Sequence, residues 1–229
     1  MSTITIGTSG WSYPEWKQSI YAGVPQRRWL ERYAEVFDAV EANITYRRDL
    51  DQDAASRWLA ATPNAFRYAM KAHQRATHFN RLKTPEVDVP AQIAQARLLG
   101  DRLGIVFFQL PHNYLRDDGL LAAFLDTWPV DIPAAWEFLH PSWDEAGVRD
   151  LLRDHDVAWV ISDAKTPEPG WHVTSSSAYV RLRADTYDPS VLQQRAAAID
   201  SLDVAHSWVF VRHGVDAPGL AMSLEDLLG

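Results

Sequence analysis

Residues 39–45 read Ala39-Val40-Glu41-Ala42-Asn43-Ile44-Thr45. Successive side chains of an extended chain point to opposite faces. Val40, Ala42 and Ile44 therefore share one face, and Glu41, Asn43 and Thr45 the other. A wholly apolar face on so short a segment must pack against other elements. The polar face then points into a closed sheet. That is the pattern of a barrel stave, whose outer side meets a jacket of helices and whose inner side carries working groups near its C-terminal end.

Segments of the same kind recur along the chain. Strands are expected at 3–7, 39–45, 67–72, 105–110, 135–139, 158–163, 178–183 and 207–212. Helices are expected between them at 26–36, 51–61, 90–101, 118–127, 144–154 and 189–199, with a short closing helix at 223–228. Trp29, Tyr33 and Val36 recur at helical spacing in the first of these. Asp118 and Asp144 stand where an N-cap is needed, and Pro189 where the first turn tolerates proline. The sixth crossover, 165–177, holds Pro167, Pro169 and Gly170 without a helical period, so a loop is expected there. Eight alternations of strand and helix predict the α/β class and a single TIM-like (β/α)8 barrel domain over 1–229. An open doubly wound sheet is the rival, but the first turn, Gly7-Thr8-Ser9-Gly10-Trp11, carries no dinucleotide or phosphate-loop fingerprint.

Composition sets further bounds. The 229 residues suit one α/β barrel, and with 47% hydrophobic and 23% charged residues the chain is an ordinary globular mix. There are no cysteines, which excludes disulfides, thiolate-rich metal sites and a cysteine nucleophile. No apolar run approaches the roughly 20 residues that span a bilayer, and the N-terminus shows no secretory signal. A cytoplasmic protein without membrane contact is the expectation. The net charge of −8 argues against a general nucleic-acid binder.

The same alternation sorts the other strands. Lys71 goes with Ala69 and His73, Gln109 with Phe107 and Ile105, and Glu137 with Ala135 and Leu139. Asp163 is grouped with Ile161 and Trp159, Arg181 with Tyr179 and Arg183, and Arg212 with Phe210 and Trp208. Glu41, Lys71, Glu137, Asp163, Arg181 and Arg212 are thus expected to point inward near strand ends. Burying so many charges is costly unless they are paired or solvated. One reading is an ion network that plugs the barrel; the other is a solvated site at its mouth. Arg47, Arg48, Lys71, Arg75, Arg181, Arg183 and Arg212 face only Glu41, Glu137, Asp144, Asp163 and Asp185 at these ends. A basic mouth on an acidic protein suggests a small anionic ligand, a phosphate or carboxylate.

Several segments carry a resemblance. Gly7-Thr8-Ser9-Gly10-Trp11-Ser12-Tyr13 with Trp16, Val40-Glu41-Ala42-Asn43 with Thr45-Tyr46, and Lys71-Ala72 with Thr77-His78 resemble motifs of the YecE-like proteins, the DUF72 family. So do Leu103-Gly104 with Phe108-Gln109-Leu110-Pro111, Glu137 with His140, Ser142 and Trp143, and Tyr179-Val180-Arg181-Leu182. These motifs follow in order over nearly the whole chain. The resemblance implies a TIM-like barrel and no particular reaction. The chain departs from the pattern at Ile44-Thr45-Tyr46-Arg47, at Arg183-Ala184 and at Arg212-His213, and keeps only part of a later motif at Ala217-Pro218.

The leading expectation is an enzyme of hydrolase type that acts on a small anion by general acid–base catalysis. Glu41, Glu137 and Asp163 would move protons. Lys71, Arg181 and Arg212 would hold negative charge, and Trp11, Asn43, His78 and Gln109 would position the substrate. A glycosidase-like hydrolase, with paired carboxylates and Trp11 and Trp143 as platforms, is one alternative. A non-catalytic module for a nucleic-acid end or a protein partner is another. No cofactor motif is present. A divalent metal on Glu41, Glu137, Asp163, His73 and His140 lacks a paired-ligand motif, and none is assigned. Lys71 as a Schiff-base lysine stands against Lys71 as a salt-bridge partner of Glu41 or Glu137.

Overall fold

The structure, a computed structural model, describes residues 2–164 and 168–229. Among them eight strands pair in parallel: β1 (Thr3–Thr8), β2 (Ala39–Ala42), β3 (Arg67–Lys71), β4 (Leu103–Leu110), β5 (Ala134–Phe138), β6 (Ala158–Ser162), β7 (Ser177–Leu182) and β8 (His206–Val211). They follow sequence order around a closed barrel, with Thr3 to Thr8 of β1 registered on His206 to Val211 of β8. The helices are α1 (Trp29–Tyr33), α2 (Gln52–Ala61), α3 (Pro85–Arg97), α4 (Asp118–Thr127), α5 (Ala146–Asp154), α6 (Pro189–Asp200) and α7 (Ala217–Leu228). None of the described helices is long and apolar enough to cross a membrane.

Two apolar layers hold the barrel. Ala39, Ala69, Ile105, Phe107, Ala135, Ala158, Val160, Tyr179, Trp208 and Phe210 fill its interior. Val40, Ala42, Tyr68, Met70, Val106, Phe108 and Trp136 face outward to the helices. The small residues of β2, β3, β5 and β6 make room for the rings of Phe107, Tyr179, Trp208 and Phe210. Two glycines are fixed by close approach. A Cβ on Gly7 would run into the carbonyl oxygen of Ala39, its partner across β1 and β2. A Cβ on Gly104 would run into the ring of Trp208.

Several expected elements differ in detail. β2 stops at Ala42, and Asn43–Tyr46 forms a 3-10 turn. Thr45 Oγ1 donates to the carbonyls of Ala42 (2.8 Å) and Lys71 (2.6 Å), so local side-chain bonds outcompete the ladder. Helix α3 starts at Pro85, five residues before the expected start, and runs through Pro90. Helix α7 starts at Ala217, because Pro218 sits in the first turn where its missing N–H costs nothing. Asp117, not Asp118, caps α4, accepting from the Leu120 N–H at 3.0 Å. Glu145 stands at the N-cap of α5 in place of Asp144. In the sixth crossover no helix forms among the described residues; Lys165, Thr166 and Pro167 of the expected loop lie outside them.

β6 is reversed relative to expectation. Ala158 and Val160 face the interior, while Ile161 belongs to the outer core and Trp159 packs against it. A parallel strand buried on both sides has no polar face to fix its register. The lone charge at its end, Asp163, therefore suggested the wrong parity.

Candidate functional site

β2, β5 and β7 bring Glu41, Glu137 and Arg181 together above the interior aromatic layer. Arg181 holds both acids. It donates to Glu41 from Nε to Oε2 and from Nη2 to Oε1, each at 2.9 Å, and from Nη1 to Glu137 Oε2 at 2.6 Å. Its guanidinium lies over the Phe107 ring, 4.5 Å from the centroid. The three residues are 0%, 5% and 4% exposed, so each charge survives burial only through the others.

The two carboxylates are used differently. Glu41 also accepts from Asn43 Nδ2 at 2.8 Å and from the Tyr179 hydroxyl at 2.9 Å, so each of its oxygens takes two bonds. It has no oxygen left for a substrate proton. Burial alone would push its carboxyl up, but Arg181, Arg183 and Lys71 outweigh that and hold it well below the usual range. Glu137 Oε2 is pinned by Arg181 and by Gln109 Nε2. Its Oε1 has no hydrogen-bond partner among the described residues. Glu137 lines a cavity of about 400 Å³ with His140, Trp159, Ser162 and His172.

Gln109 bridges to the next cation, accepting from Lys71 Nζ at 2.9 Å. Lys71 also lies over the Tyr46 and Phe107 rings, at 4.8 and 5.3 Å. Among the described residues it makes no ion pair, so the expected salt bridge to Glu41 or Glu137 does not form; Arg181 takes both acids. Arg183, just beyond β7, donates from Nη1 to Ser9 Oγ at 2.8 Å and makes no ion pair among the described residues either. Burial, then Arg181, lowers its pKa. The mouth thus holds three cations, Lys71, Arg181 and Arg183, against two buried carboxylates.

The other expected residues take their places around this cluster. Asn43 orients Glu41. His78 bonds through Nδ1 to the Thr77 hydroxyl at 2.8 Å and sets its ring edge-on to Tyr46 at 5.2 Å. Burial and Lys71 lower its pKa. Trp11 lines a small cavity of about 130 Å³ with Tyr13 and Asn43. Arg212 has the expected parity but sits at the rim, 44% exposed and paired with Asp185 at 3.1 Å. Asp163 stands apart from the two glutamates, accepting from the Arg183 backbone N–H at 2.6 Å and the Tyr187 hydroxyl at 2.5 Å. Trp143 is fully buried, with its Nε1 bound to the Tyr114 carbonyl, so it is a packing residue and no platform. Among the described residues no three His, Asp or Glu side chains converge as metal ligands. His73 and His140 each turn Nδ1 to a nearby backbone N–H instead.

Tyr179 and Arg183 take the inward direction that alternation gives them, whereas no role was read for Ser9 or for His213, which stacks on Tyr13 at 4.9 Å. His213 lies past the end of β8, where alternation no longer predicts direction.

Known proteins match this chain over most of its length. The family model described as "Protein of unknown function DUF72" matches residues 5–229. The UPF0759 protein YecE of Escherichia coli O157:H7, and that of strain K12, are each 29% identical over 168 residues, 71% of this chain. The match spans 60% of the length of these curated relatives. A crystal structure of a DUF72 family protein from Thermotoga maritima superposes with a TM-score of 0.81 at 24% identity, covering 97% of both chains. One from Enterococcus faecalis gives 0.80 at 16% identity, covering 100% of this chain and 98% of that one. At these identities the two structures speak for the fold alone.

Proposed function

The chain belongs to the DUF72 family of proteins of unknown function, and from that premise we propose that its barrel mouth is an enzyme site for a small phosphorylated or carboxylated molecule, with Glu137 as the proton-transfer group. The observation that carries this reading is the division of labour around Arg181. Arg181 and Glu41 neutralise each other in a saturated, buried pair. Glu137 is held by one oxygen, its other oxygen has no hydrogen-bond partner among the described residues, and the residue lines a cavity. Among the described residues Lys71 and Arg183 are left as cations near the two glutamates without an ion-pair partner of their own. A fixed carboxylate beside unpaired cations is suited to move a proton on a substrate whose negative charge those cations hold. Asp163 and Arg212 serve the frame of this site, since their charges are engaged elsewhere.

The test has two arms. Inorganic phosphate and small carboxylates should raise the thermal midpoint saturably, and Arg183→Gln should weaken that binding about tenfold, the worth of one charge-assisted hydrogen bond. In a turnover screen of phosphorylated and carboxylated small molecules, Glu137→Gln should abolish activity while keeping anion binding in a barrel that still folds, with a lowered midpoint. If no anion shifts the midpoint of the wild type, the reading fails. If Glu137→Gln unfolds the barrel, the cluster is a structural plug.

A further inference from the structure

Lys71 lies near two carboxylates and is paired with neither. Arg181 takes Glu41 with two hydrogen bonds and Glu137 with a third. An ammonium group carries three donors, and Lys71 uses one, on the amide oxygen of Gln109. The Tyr46 and Phe107 rings lie beside it, and the residue is half-buried. Charged and titratable groups reach it from several elements: Glu41 from β2, Glu137 from β5, Arg181 and Arg183 from β7 and the residue after it, and His78 from the turn after β3. Burial first, and the two arginines with it, overcome the acids and draw its pKa down to about 8. About a tenth of the side chain is therefore a neutral amine at pH 7, a share that grows as pH rises through about 8.

We propose that Lys71 is a nucleophile that captures the carbonyl group of a small anionic carbonyl compound as an imine. This rests on the anion site described above and names its substrate class. The lone pair of Lys71 Nζ forms a bond to the carbonyl carbon, and the C=O π pair moves to oxygen. Nitrogen gives up a proton and oxygen gains one, producing a carbinolamine. Nitrogen then gives up its second proton, the oxygen takes it up and leaves as water, and the C=N bond forms. Amine and carbonyl become imine and water, with no change of oxidation state. Glu137, joined to Lys71 through Gln109 and with Oε1 unpartnered among the described residues, carries the protons. Arg183 holds the anionic end.

Reductive trapping tests this directly. The full chain is incubated with glyoxylate and cyanoborohydride, and the modified peptides are mapped by mass spectrometry. The expected result is one reduced adduct, on Lys71, formed at least about tenfold faster than on Lys17 or Lys83, with a rate that rises through about pH 8. Lys71→Arg, which keeps the charge without the nucleophile, should lose this adduct. Propanal, an uncharged aldehyde, should label Lys71 more slowly than glyoxylate, and Arg183→Gln should narrow the gap about tenfold. Labelling spread over Lys17 and Lys83 with Lys71 unmodified overturns the proposal, even where phosphate still binds. Equal labelling of Lys71 by the two aldehydes supports the amine and overturns the anion site instead.

Discussion

Glu41 and Glu137 carry the same charge, sit at corresponding ends of their strands and share one arginine, yet they answer to different constraints. Glu41 is wholly buried with four donors on its carboxylate, so its removal leaves two Arg181 donors, the Tyr179 hydroxyl and the Asn43 amide without their acceptor and Arg181 with Glu137 alone. Glu41→Ala should cost about 3–5 kcal/mol of unfolding free energy, as loss of one partner from a buried ion pair does. Urea denaturation at pH 7 measures it. The acid limb checks the same pair. The folded carboxyl titrates below its unfolded value of about 4.3, so its stabilisation is complete above that value and drains away as pH falls toward the depressed folded one. Wild-type urea midpoints should therefore fall between about pH 5 and pH 3 more steeply than those of Glu41→Gln. Alternation alone placed Glu41, Lys71, Gln109, Glu137 and Arg181 on the inner face. It could not say which acid Arg181 would take, because partner choice depends on distances across the barrel.

At the scale of elements, each strand was legible where one of its faces was polar and ambiguous where neither was. β2 and β7 show the first case. β6 shows the second: Trp159 and Ile161 are as apolar as Ala158 and Val160, and packing alone decided which pair faced in. Helices were found wherever apolar spacing was strong, but prolines misplaced two starts, since a proline in the first turn and a proline that ends a helix look alike in sequence. Helix α7 carries a testable consequence of its position. Glu225 is half-buried on it; burial first, then Asp38 and Asp226, raise its carboxyl to about 7. A folded pKa above the unfolded one gives stability that is present below about 4.3 and lost as pH rises through about 7. Glu225→Gln should therefore have a higher thermal midpoint than wild type at pH 8, and the two should converge near pH 4.

At the scale of the molecule, the barrel closes because small and large residues alternate around its interior. Gly104 is one such small residue, lying under the Trp208 ring. Gly104→Ala should overpack that layer and cost about 1–3 kcal/mol, read by urea denaturation, while phosphate binding at the mouth stays unchanged in the folded fraction. The net charge of −8 belongs to the whole surface, whereas the mouth gathers Lys71, Arg181 and Arg183 around two acids. The eight-stave architecture and the inward set on β2, β3, β4, β5 and β7 were written in the sequence, because strand periodicity is a local property of the chain. The direction of β6, the isolation of Asp163, the satisfaction of Glu41 and the freedom of Lys71 and Arg183 came only with the tertiary structure. Each depends on which groups from distant strands lie within hydrogen-bonding reach, and closure of the barrel sets that.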